Sequence, residues 1–142
     1  MQLLDWIGAW PGAVLLQGSG TAYLLVNAAH ILGIGLLVGA IIPLDLRLLG
    51  FFRTVPLAVL WPFLSRAAAV GFGLAIVTGL WLFSVKAAEY IANEAFLWKV
   101  GLLAAALLNI VIQHRRPNPA SALCSLVLWL SVLIAGRWIG FV

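Results

Sequence analysis

"YLLVNAAHILGIGLLVGAIIPLDLRLLG", residues 23–50, is apolar or glycine except at Asn27, His30, Pro43, Asp45 and Arg47. A run of this length and apolarity is what a membrane span needs, about 20 residues at about 1.5 Å each. The stretch therefore reads as a transmembrane helix. The question it raises is why a helix this apolar carries an imidazole in its middle.

The rest of the chain agrees with that reading. Of 142 residues, 65% are apolar and 8% charged, far below the quarter charged that covers a water-soluble domain. Three further stretches are long and apolar enough to cross a bilayer. The four spans are expected over about 21–44, 67–87, 95–113 and 121–140, within a single domain covering 1–142. The N-terminal "MQLLDWIGAWPGAV" carries Asp5 where a secretory signal has basic residues, so it reads as retained. Trp6 and Trp10 ahead of Pro11 suggest a short helix lying at the membrane interface.

Charge sets the expected orientation. Arg47, Arg53 and Arg66 lie in the first connection, and Arg115 and Arg116 in the third, beside a Pro-Asn-Pro breaker. Both connections fall on one side, which the positive-inside rule makes cytoplasmic, with both termini outside. The opposite side holds Lys86 and Lys99 against Glu89 and Glu94, plus Arg137. The net charge of +4 is scattered, so it is no nucleic-acid footprint. The lone Cys124 forms no internal disulfide. Small residues at Gly35 and Gly39, and at Gly71, Ala75 and Gly79, offer stripes along which helices approach closely in lipid. The expected fold is all-α: an integral membrane antiparallel four-helix bundle with a short N-terminal interfacial helix.

Polar groups inside the membrane carry the functional signal. His30 sits roughly 13 Å deep by helix rise. Asn27 and Tyr23 precede it on the same side of the helix, and Gly33 leaves room beside the ring. Thr78, Trp81, Lys99, Ser131 and Arg137 fall in the same outer half. A second polar layer, Asp45, Arg47, Arg66, Asn109 and His114, lies on the cytoplasmic side. There, Asp45 paired with Arg47 or Arg66 would pin helix ends, or the layer would form a gate.

The residues also limit the chemistry. His114 stands roughly 20 Å from His30 along the membrane normal, so the two do not clamp one haem. A haem on His30 is five-coordinate or takes a sixth ligand such as Lys99 or water. A copper path normally shows Met and Cys at helical spacing, and the chain has one of each. Zinc would need further ligands that the outer half lacks. No Ser/His/Asp set, phosphate-binding loop or carboxylate pair is present, and Gly71-Phe72-Gly73 lies inside an apolar helix with no strand before it.

"HILGIGLLVG" with "DLRLLG", and the closing "LWLSVLIAGRWIGF", resemble an uncharacterised family of small bacterial four-helix membrane proteins. "FLSRAAAVGFGLAIVTGLWL" and "FLWKVGLLAAALLN" resemble the middle helices of the related copper-resistance D (CopD-like) family. The matching positions are His30, Arg66, Thr78, Gly79, Lys99, Asn109 and Arg137. The architecture is also similar to bacterial membrane protoporphyrinogen oxidase, where only His30 and Lys99 correspond. The resemblance implies a site in the outer half, a place in the bacterial inner membrane, and either copper handling or haem-linked redox chemistry.

The leading expectation is an inner-membrane protein binding a metal or b-type haem at His30, in copper handling or electron transfer. His30 is the ligand for metal or haem. Lys99 and Arg137 would neutralise an anion such as haem propionates, Asn27 or Tyr23 would orient the imidazole, and Thr78 lies beside it. The expected partners are the lipid bilayer and a periplasmic or membrane protein. Two alternatives are an oxidoreductase acting on a porphyrin or quinone, and a non-catalytic structural subunit of a larger membrane complex.

Overall fold

A computed structural model describes residues 2–141. Two short helices, α1 (Gln2–Ile7) and α2 (Pro11–Gly18), precede the long helices α3 (Gly20–Leu48) and α4 (Leu57–Val85). A short α5 (Ala87–Ala92) leads into α6 (Glu94–Arg115) and α7 (Pro119–Trp138), and a single 3₁₀ turn, Ile139–Phe141, follows. Helices α3, α4 and α6, and α7 with its 3₁₀ turn, are each long and apolar enough to cross a membrane. Phe63 (70% exposed) and Ile134 (69%) typify their outward faces, which suit lipid rather than water. The chain is a multi-pass, all-α membrane bundle.

Two antiparallel hairpins build it. Helices α3 and α4 pack along most of their length, as do α6 and α7, and the hairpins join where α3 meets α7. Leu37, Ile41, Ala106 and Trp129 form the apolar centre, with Phe72 and Ala68 of α4 against it. The α3–α4 contact is a glycine contact. A Cβ on Gly33 would stand 2.7 Å from the Ala75 nitrogen, and one on Gly71 would stand 2.6 Å from the Leu37 nitrogen. In lipid, where no hydrophobic force drives helices together, such backbone proximity supplies the dispersion contacts. The Gly71, Ala75, Gly79 stripe faces α3 as expected. Gly35 and Gly39 do not pair with it: both are exposed, with no atom near an added Cβ. The buried row of α3 is instead Gly33, Leu37, Ala40, Ile41, Leu44 and Asp45.

The first connection is shorter than the sequence suggests. Helix α3 passes through Pro43 to Leu48, where Gly50 ends it with φ +109°. The Phe51 amide reaches back to the Leu46 carbonyl at 3.0 Å and that of Gly50 to Arg47 at 3.1 Å, a Schellman closure that favours glycine. Helix α4 begins at Leu57, ten residues before the expected start, so Arg66 lies on an exposed face of a helix and not in a loop. Backbone groups near lipid have few other partners, which favours extending the helix through Pro43 and Pro62. The Pro-Asn-Pro breaker behaves as read. Asn118 caps α7 by accepting from the Ser121 amide at 2.8 Å, with Pro119 in the first turn.

The N-terminal segment is two helices, not one, and it docks onto the bundle. Trp10 Nε1 donates to Ser84 Oγ at 2.8 Å, and Trp81 Nε1 donates to the Gly12 carbonyl at 2.9 Å. These bonds tie α2 to the last turns of α4. At the same end Phe83, Tyr90 and Phe96 stack at 5.4–6.0 Å, fixing α5 between α4 and α6.

Candidate functional site

Two polar layers lie on the buried side of α3, fifteen residues and roughly 22 Å apart along the axis. The apolar centre separates them.

At the level nearer the termini, the His30 ring lies against α4. Its Nδ1 is 3.0 Å from the Ala75 carbonyl and 3.1 Å from Thr78 Oγ1. The partners decide the tautomer. A carbonyl only accepts, and the Thr78 hydroxyl spends its own proton on the Leu74 carbonyl at 2.6 Å. Nδ1 therefore carries the proton and shares it between two acceptors, which leaves the Nε2 lone pair free. Nε2 makes no hydrogen bond among the described residues. Gly79 makes the ring's position possible, since a Cβ there would come within 3.0 Å of Cε1.

Lys99 is half-buried, and its stem lies along α7, with Cδ, Cε and Nζ each 3.6 Å from where a Gly136 Cβ would stand. It is within electrostatic reach of His30. The structure thus joins His30 and Thr78 directly, with Lys99 on the facing side of the bundle against Gly136. It places the other expected residues elsewhere. Asn27 is exposed, because the inward row of α3 runs Val26, His30, Gly33, Leu37 and Asn27 lies a helical step beside it. Arg137 is exposed, its guanidinium 5.0 Å above the Phe141 ring. Tyr23 is half-buried near Tyr90, where burial first, and the neighbouring Tyr23 hydroxyl second, push the Tyr90 phenol up to about 12. Trp81 belongs to the α2 clamp, and Ser131 Oγ donates to the Val127 carbonyl of its own helix at 2.6 Å.

The second layer differs from the expected one. Asp45 is 1% exposed and has no arginine partner. Arg47 Nε donates to the Val55 carbonyl at 3.0 Å, and Arg66 faces outward. Among the described residues the one ion pair is the exposed Lys86–Glu89, at 3.9 Å. Asp45 instead accepts a hydrogen bond at Oδ1 from Gln113 Nε2, 2.9 Å away. Its Oδ2, Ser125 Oγ and Trp129 Nε1 are buried and without partners among the described residues. Asn109 is buried and donates to the Ser121 carbonyl at 3.0 Å, joining α6 to α7. Exposed His114 meets Trp61 edge to face at 5.3 Å.

Gln113, Ser125 and Trp129 carry a signal in the sequence that hydropathy alone overlooks. Ala106, Asn109 and Gln113 repeat at three and four residues, as do Ser121, Ser125, Trp129 and Val132, marking single helix faces.

The donor set favours some groups over others. Among the described residues no three His, Cys, Asp or Glu side chains come together, the ligand number that zinc sites usually take. Cys124 is exposed. An imidazole with Nδ1 held by a carbonyl and Nε2 free fits a group that takes one axial nitrogen, such as a b-type haem. Comparison with protein-family models, curated proteins and solved structures gave no match.

Proposed function

We propose that this chain is a bacterial inner-membrane protein that holds a b-type haem through His30 and serves membrane electron transfer. The observation that carries the reading is the pinned imidazole: Nδ1–H given to Ala75 and Thr78, Nε2 left without a hydrogen bond among the described residues. The resemblance to the CopD-like family supports the same position. Haem bound there supplies one-electron chemistry. The chain's own residues set its conditions. The Ala75 carbonyl fixes the ring plane and makes Nε2 the more basic nitrogen. Thr78 shares that proton, and Gly79 leaves the ring its place. Lys99 offers a cation to a carboxylate at the same depth. With the arginine-bearing ends cytoplasmic, this layer lies in the outer half of the bilayer.

The test is a visible spectrum with metal analysis on detergent-purified protein made with haem and copper supplied, beside His30→Ala. A Soret band in the wild type that disappears in the variant supports the proposal. Stoichiometric copper without a Soret band would favour copper handling instead. Protein with neither would sink both readings and leave the structural subunit.

A further inference from the structure

At the end of the bundle remote from His30 lies a cavity of about 230 Å³ flanked by α4 and α6. Asp45 and Ser125 are among the residues that line it, with Gln113 and His114 from α6 and Trp61, Ser65 and Phe72 from α4. Asp45 and Ser125 are each 1% exposed, and Asp45 Oδ2 and Ser125 Oγ are both unpartnered among the described residues. The structure assigns this cavity as a binding site for a small organic cation, an ammonium group on an apolar body.

The chemistry of the walls selects that class. A buried carboxylate that lacks a cation is costly, and a bound ammonium removes the cost by hydrogen bonding to it. No cationic side chain among the described residues does so. Arg47 is turned to Val55, while Arg66, Arg115 and Arg116 are exposed. Gln113 occupies Oδ1, so the free acceptors are Oδ2 and the Ser125 hydroxyl, and an ammonium brings three donors. The same carboxylate repels an anion. A bare metal ion asks for six or more oxygens, and the apolar walls offer few. Aromatic rings at Trp61 and Phe72 favour a cation with apolar substituents. The volume holds about eight water-sized groups at about 30 Å³ each, which suits a small aryl- or alkylamine.

Calorimetric titration of the detergent-solubilised full chain at neutral pH tests this with three probes of one shape: 2-phenylethylamine, 2-phenylethanol and phenylacetate. The amine is expected to bind at least tenfold tighter than the alcohol, about 1.4 kcal/mol, and phenylacetate not to bind. Asp45→Asn should erase the tenfold preference. Ser65→Phe, which fills the cavity and leaves the carboxylate in place, should abolish amine binding. Absence of amine binding, equal binding of the alcohol, or full affinity in Ser65→Phe would each overturn the assignment. So would displacement of the amine by sodium chloride but not by choline chloride at the same ionic strength. The wild-type ratio and Ser65→Phe decide the question even where Asp45→Asn does not fold.

Discussion

Gln113 of α6 reaches across to α3 and donates its only inter-helix hydrogen bond among the described residues to Oδ1 of Asp45, 2.9 Å away. One amide thus stands against one buried carboxylate, in a place where an ion pair with arginine is the natural expectation. The consequence is asymmetric. Removing the amide leaves a buried acceptor with nothing, whereas removing both groups leaves an apolar contact.

Gln113→Leu is therefore expected to destabilise the bundle by about 1–3 kcal/mol. The double variant Asp45→Leu with Gln113→Leu should recover part or all of that loss. Thermal unfolding in detergent, followed by circular dichroism, measures both. A double variant less stable than Gln113→Leu alone would contradict the pairing.

Gly33→Ala puts a methyl group against the backbone of α4, and the cost expected from overpacking is about 1–3 kcal/mol. Gly35→Ala, two residues on, meets open space and should change stability by no more than about 0.5 kcal/mol. The same unfolding assay compares them. Equal effects would mean that α3 packs on a different face.

Gly79→Leu pushes a side chain into the volume of the imidazole, since even its Cβ would come within 3.0 Å of Cε1. Protein carrying a Soret band is expected to lose it in this variant while remaining helical. Gly73→Leu sits on the same helix with no atom near its Cβ, and should keep the band. The spectrum reports the difference directly, and a band that survives Gly79→Leu places the ligand elsewhere.

The ends of the chain are expected outside the cytoplasm, from the arginines at residues 47, 53, 66, 115 and 116. A phosphatase fused at the C-terminus should be active in intact bacteria, and a fluorescent reporter that folds only in the cytoplasm should stay dark there. The reverse pattern would put the His30 layer in the inner half of the bilayer.

The class of fold is legible along the linear chain. Apolar length makes a spanning helix, because every backbone group in lipid must be satisfied within its own segment. Four such lengths separated by breakers make two hairpins, and the Asn118 cap with Pro119 marks one turn without any tertiary information. The depth of His30 follows from the same arithmetic of helix rise. Which way a side chain points around its helix is another matter. Asn27 and Val26 differ by one residue, and only the docking of Gly33 on Gly71 decides that the inward row runs through Val26 and His30. Partner choice is likewise tertiary. Arg47 turned to a loop carbonyl, and Gln113 took Asp45, because the packing of α3 on α7 and the crossing from α6 set which groups meet. Hydropathy is summed along a helix and survives any rotation about its axis. Hydrogen bonds depend on that rotation, and neighbouring helices alone supply it.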